Sequence, residues 1–209
     1  SESHFLASSS KVGVSLTHIR NTKEDNFTSQ IKAGSVIDIH GEKKSLACYF
    51  SELDKWELKG HPTENRALAI SIIKAWVMVS GSLQITEQEN SISCDAALVL
   101  DCLGLKELPC LPDVVKSLSA RGNRLRGLPD LPQTLITLDV SENIINALPD
   151  LPAALQCLDC SKNNLRTLPL LPSNLVNIQA EHNQLSDLPA LPNALDYLNV
   201  SNNSLQALP

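Results

Sequence analysis

The sequence predicts an α+β protein: a leucine-rich-repeat solenoid with a parallel β-sheet on its concave face, an extended convex face, and a helical hairpin covering its N-terminal end. Three observations carry this prediction. Segments opening on Leu-Pro-x-Leu-Pro return at Leu108, Leu128, Leu148, Leu168 and Leu188, a period of 20 residues without a slip. An asparagine holds one place in every unit: Asn123, Asn143, Asn163, Asn183 and Asn203. Upstream lie two stretches whose apolar residues recur at helical spacing. Fixed-period self-similarity marks units that cannot bury their apolar faces alone and must stack on one another.

The hairpin occupies residues 47–80. Phe50, Leu53 and Trp56 form one apolar stripe, and Ala69, Ile72, Ile73, Trp76 and Val77 follow the i, i+3, i+4, i+7, i+8 pattern of another. Gly60 and Pro62 separate the two helices, with Thr63 expected as the N-cap of the second and Glu64 in its first turn. Residues 81–96, polar and without pattern, read as a linker or excursion. Repeats then fill 97–209: a degenerate opening turn and five 20-residue repeats, truncated at the C-terminal end. In the opening turn Leu98, Leu100 and Leu105 keep the strand pattern, but Leu103 stands where the asparagine belongs. A solenoid end without a cap would expose core leucines to water, so this turn and the hairpin are expected to cover it.

Within a repeat, fixed letters build the coil. Leu135, Leu138, Val140, Ile145 and Leu148 point inward in one turn, and Leu155, Leu158, Cys160, Leu165 and Leu168 in the next. The asparagine column is expected to satisfy backbone groups exposed where the chain leaves each strand, since an unsatisfied buried polar group costs roughly 1–3 kcal/mol. Paired prolines such as Pro129 and Pro132 fix φ, remove donors and favour an extended convex wall.

Drifting letters hold the functional information. Side chains alternate faces along a strand, so each turn presents a set to the concave solvent: Ser117, Ser119, Arg121 and Gly122, then Thr137, Asp139, Ser141 and Glu142, then Cys157, Asp159, Ser161 and Lys162, and so on. This surface is polar and mixed in charge. It holds no Ser/His/Asp set, no enclosed acid–base pair and no glycine-rich phosphate cradle, so no catalytic residue, cofactor or metal is expected in it. Repeats of this kind form extended binding surfaces, and protein recognition is the functional expectation, with Arg121, Asp139, Glu142, Asp159, Lys162, Gln179, Glu181, His182, Tyr197 and Asn199 as candidate partner-binding residues.

Composition narrows the classes further. The 209 residues carry a net charge of −6 and only 3% aromatics. An acidic chain argues against nucleic acid as partner; no apolar run reaches the roughly 20 residues that span a bilayer, and residues 1–20 lack the layout of a secretory signal. The six cysteines match no disulfide or zinc framework. Cys157-x-x-Cys160 resembles a metal or redox pair, but the register places Cys157 outward and Cys160 inward, and opposite faces cannot share a metal or close a disulfide. Asn199-Val-Ser201 and Asn202-Asn-Ser204 match a glycosylation sequon that the repeat itself generates. The chain begins at Ser1 and stops inside a repeat at Pro209, which reads as a portion of a longer protein.

The 20-residue Leu-Pro-x-Leu-Pro repeat, the hairpin "FSELDKWELKGHPTENRALAISIIKAW" with its Trp56-Glu57 pair, and the opening turn "LVLDCLGLKELP" resemble the bacterial type III secreted effectors of the IpaH/SspH/YopM group over roughly residues 47–209. That resemblance implies a host-protein-binding repeat region delivered into the host cell, in the cytoplasm or nucleus. For the IpaH/SspH members it implies an E3 ubiquitin ligase whose catalytic Cys-x-Asp lies in a separate C-terminal helical domain, which the repeats can mask. For YopM-like members it implies a non-enzymatic scaffold for host kinases. Residues 1–46 then fit a weakly structured export segment, with short β-like pieces around Val12–Leu16 and Val36–Ile39. Cys157-Leu-Asp159 matches Cys-x-Asp in letters, but it lies on a repeat strand, so no catalysis is carried onto it. An adhesion module outside the cell is the remaining reading; the lack of a signal peptide and of a disulfide cap weighs against it.

Overall fold

The computed structural model describes residues 36–83 and 97–206. The β-like piece expected around Val12–Leu16 lies outside the described residues, as does most of the 81–96 excursion. Two small elements precede the helices: β1 (Val36–Ile39) and β2 (Glu42–Ser45) pair antiparallel as a hairpin. Its turn residues His40 and Gly41 both take positive φ, as a tight reversal requires. The β-like piece expected around Val36–Ile39 is thus a strand, and its pairing with Glu42–Ser45 gives residues 36–45 more structure than the weakly structured segment expected there. Ile37 and Ile39 point into the main core, and the Asp113 N–H donates to the Asp38 carbonyl at 2.9 Å, so the first full repeat anchors them.

Helix α1 spans Leu46–Leu58, and its N-cap is Ser45, whose Oγ accepts from the Cys48 N–H at 3.2 Å. Helix α2 spans Arg66–Leu83. Thr63 does not cap it; its hydroxyl lies 2.8 Å from His61 Nδ1 instead. Asn65 occupies the position before the helix, and its carbonyl accepts from Ala69 at 3.0 Å. The expected stripes are largely buried, joined by Tyr49 and Ile70, which sequence spacing had not singled out.

Strands β3 (Leu98–Val99), β4 (Ser117–Ser119), β5 (Thr137–Asp139), β6 (Cys157–Asp159), β7 (Asn177–Gln179) and β8 (Tyr197–Asn199) form one parallel sheet in chain order. The register is the repeat itself: Leu98, Leu118, Leu138, Leu158, Ile178 and Leu198 align in one row. Because the period never slips, every central strand residue lands on its equivalent, and that row is buried until Leu198. On the convex side a Pro-x-x-Leu step, Pro-x-x-Val in the first repeat, closes a turn in every full repeat, the Leu or Val N–H donating to the proline carbonyl at 3.0–3.1 Å. The prolines thus end an extended wall in a tight reversal. A single core runs from Ile37 through both helices to Leu185.

The asparagine column closes the corners. Asn143 Oδ1 accepts from the Leu125 N–H one turn earlier at 3.0 Å. Its amide donates to the carbonyls of Val140 and Ser141 in its own turn and of Ala120 in the preceding one, at 3.0–3.1 Å. Asn163 and Asn183 repeat the pattern. In the opening turn, where Leu103 replaces the asparagine, the Leu103 N–H still donates to Asn123 Oδ1, and the Asn65 N–H from the helical hairpin reaches the Leu103 carbonyl at 2.9 Å.

Candidate functional site

The residue before each column asparagine has left-handed backbone: Cys102, Gly122, Glu142, Lys162, His182 and Asn202 all have φ between 53° and 68°. This conformation costs non-glycine residues roughly 1–2 kcal/mol. From Cys102 to His182 it is held by the stack, because each of these N–H groups donates to a carbonyl one turn on, as Glu142 does to Ser161 at 3.0 Å and Lys162 to Glu181 at 2.8 Å. The consequence is a rim of side chains along one edge of the concave sheet. Sequence periodicity alone did not reveal the strain; Gly122 in this column was its one visible sign.

On that rim three candidate residues meet. Glu142 Oε1 accepts from Arg121 Nη2 at 3.0 Å and from Lys162 Nζ at 2.9 Å. These two cations hold the Glu142 carboxyl below its ordinary range, the Lys162 bond contributing most and the Arg121 bond next. The Glu142 hydrogen bond in turn raises Arg121. All three side chains remain solvent-exposed, so this is a surface network of low stabilising value that presents fixed charge. One turn further, Glu181 accepts from the Asn199 amide, and His182 Nε2 lies 3.2 Å from the Asn202 amide. Tyr197 stands on the last strand, 47% exposed.

Other candidates are placed differently. Asp139 Oδ1 accepts from the Ser141 N–H at 2.9 Å and its hydroxyl at 2.6 Å, and Asp159 does the same for Ser161 at 3.0 and 2.7 Å. These carboxylates close local turns at the strand ends with one oxygen, in the manner of side chain–backbone turns. Ser141 and Ser161, read as facing the concave solvent, are buried by these bonds. Gln179 is half-buried on β7, and Glu181 stands two residues on, where the turns of Asp139 and Asp159 have a serine, so it has no such serine partner.

Cysteine chemistry follows burial. Burial pushes the Cys160 thiol up to about 12, and it also raises the half-buried Cys157. A raised thiol stays protonated and is a poor nucleophile. Among the described residues no group of three His, Cys, Asp or Glu could hold a metal ion, and no helix is long and apolar enough to cross a membrane. The concave face offers hydrogen-bonding groups, fixed charges and one exposed aromatic ring: the means of recognising another macromolecule.

No protein-family model and no curated protein matches the chain. Among solved structures, the leucine-rich-repeat domain of a Shigella effector is 37% identical, covers 79% of this chain and 70% of its own, and superposes with a TM-score of 0.70. YopM, a leucine-rich effector protein from Yersinia pestis, is 28% identical, covers 79% of this chain and 56% of its own, with a TM-score of 0.54. A 20-residue repeat that builds one parallel strand per turn behind two N-terminal helices, together with this degree of identity, shows that the chain belongs to the bacterial leucine-rich-repeat effectors of the IpaH/SspH/YopM group.

Proposed function

We propose that this chain is the host-protein-recognition region of a secreted effector that works inside the host cell, in its cytoplasm or nucleus, and that the effector is an IpaH/SspH-like ubiquitin ligase with its catalytic domain C-terminal to these repeats. The observation that carries recognition is the concave rim, where Arg121, Glu142 and Lys162 are tied into one charged network on a rigid sheet. Prearranged groups lose less freedom on binding than mobile ones. Support for the ligase reading over a scaffold is the greater likeness to the Shigella effector domain than to YopM, 37% against 28% identity. In this reading the rim selects the protein to be modified, and in the absence of that protein the same repeats mask the catalytic domain.

A non-enzymatic scaffold for host kinases is the second reading, favoured by the fold shared with YopM. Two measurements on the full-length protein separate them. Host proteins captured by the wild type should be lost from Arg121→Glu/Lys162→Glu. In a reaction with ubiquitin, activating enzyme and conjugating enzyme, the ligase reading expects ubiquitin chains, abolished by removing a cysteine downstream of the repeats. Capture without transfer selects the scaffold; a captured set unchanged by the double variant rules out the concave rim.

A further inference from the structure

A second charged surface lies on the flank where the chain leaves the sheet after each column asparagine. Leu125, Ile145, Leu165 and Leu185 are buried there, and the residues on either side of them face out. One outward column reads Arg124, Ile144, Asn164 and Gln184; the other reads Lys106, Arg126, Asn146 and Arg166. Two open grooves follow them. Lys106, Leu108, Arg126 and Leu128 line one of about 710 Å³, and Asn146, Asn164, Arg166 and Gln184 line one of about 410 Å³.

The two charged surfaces differ in how their cations are satisfied. On the concave rim Arg121 and Lys162 share Glu142. On the flank, Lys106, Arg124, Arg126 and Arg166 form no salt bridge with any described residue. The acids nearby are Glu107, which also lines the first groove and lies 3.0 Å from Arg66, Glu64, which accepts from the Lys106 N–H and from Arg66, and Asp187 at the far end, hydrogen-bonded by Ser186 at 3.2 Å. In a chain of net charge −6, basic groups kept together and unpaired on one flank create a local field of the opposite sign, which attracts acidic partners.

We propose that this flank is a second binding surface and that it takes an acidic polypeptide segment in extended form. Arg126 and Arg166 lie two turns apart, about 10 Å at the roughly 4.8 Å spacing of neighbouring strands. An extended chain of the polyproline II kind advances about 3.1 Å per residue with about three residues per turn, so carboxylates three residues apart share one face about 9 Å apart and meet both. Each guanidinium fork suits a carboxylate. Beside and between them the amides of Asn146 and Asn164, with Gln184 one turn beyond, offer donors and acceptors to a peptide backbone, and Ile144, 40% exposed, offers an apolar contact. The flank columns hold no aromatic ring on which bases could stack, which favours a polypeptide. This surface stands whether or not the concave rim selects a host protein.

The test is fluorescence anisotropy of a labelled peptide carrying Glu at about every third position, titrated with the purified chain. Binding should saturate, weaken as salt rises, fall at least about tenfold in Arg126→Glu/Arg166→Glu, and persist in Arg121→Glu/Lys162→Glu. Arg126→Gln/Arg166→Gln, with melting followed in parallel, keeps the test valid if charge reversal harms folding; it should weaken binding as well. Absence of saturable binding by the wild type, equal loss in the flank and rim variants, or displacement of the peptide by an equal concentration of single-stranded oligonucleotide would each overturn the proposal.

Discussion

The repeats and their junction with the N-terminal helices solve the same problem in unlike ways. Inside the stack, each corner is satisfied by translation: Asn143, Asn163 and Asn183 make the same bonds to equivalent backbone groups one turn apart. At the junction every bond has a different maker. The Tyr49 hydroxyl donates to the Cys110 carbonyl at 3.0 Å. Glu64 Oε2 accepts from the Lys106 N–H at 3.1 Å and from Arg66 Nε at 3.0 Å. Arg66 also reaches the Trp56 carbonyl at 2.6 Å and Glu107 at 3.0 Å, with its guanidinium 4.4 Å from the centre of the Trp56 ring. A repeat can lose one bond and keep its neighbours' copies. The junction has no copies, so nothing in the chain duplicates its charged lock, which works beside the shared apolar core to attach the helices to the solenoid.

The largest effect should come from Arg66→Ala. It leaves the Glu64 carboxylate, 2% exposed, with two backbone N–H donors but no cation; removing one partner of a buried ion pair costs up to about 3–5 kcal/mol. Thermal melting should fall, and hydrogen exchange should rise in Leu46–Leu58 while Leu138 and Leu158 stay protected; uniform loss across the chain would abolish the distinction between junction and stack. Acid attacks the same lock. Burial works to raise the Glu64 carboxyl, but the His61 and Lys106 N–H groups and Arg66 together hold it below the ordinary value of 4.5. Its contribution is therefore complete above the unfolded value and is lost as pH falls through the lowered one. Helical signal should decrease before sheet signal in an acid titration, and Glu64→Gln should remove that early phase.

Asn163→Ala should cost about 2 kcal/mol, because the backbone groups it serves on two turns lose a partner together. Tyr49→Phe removes one hydrogen bond and should cost about 1 kcal/mol, read by chemical denaturation. The smallest effect on stability belongs to Arg121→Glu/Lys162→Glu, whose melting should match the wild type while host-protein capture is lost. Asp139→Arg is a poorer probe of the rim, because Asp139 also holds Ser141; it should lower melting as well as binding.

How much was legible follows from the same comparison. Leu118, Leu138 and Leu158 announce their row because a side chain that recurs every 20 residues has only one place in a stacked coil. The opposite facing of Cys157 and Cys160 followed from that register without any structure. The rim was legible as a set of outward letters but not as a network: that Arg121 and Lys162 converge on one oxygen of Glu142 depends on left-handed backbone at Glu142 and Lys162. The burial of Ser141 and Ser161 escaped the alternation rule because the strands end at Asp139 and Asp159, where side-chain bonds turn the chain inward.

The sequence by itself determined the solenoid, its period, its inward rows and the presence of two helices, because those rest on repetition and on apolar spacing, which are local and additive. Tertiary structure alone decided that Ile37 and Ile39 join the core, that Asn65 rather than Thr63 precedes α2, and that Glu64 and Arg66 help lock the helices to the opening turn. Those contacts join residues far apart in the chain, occur once, and gain their strength from burial and geometry that no spacing of letters encodes.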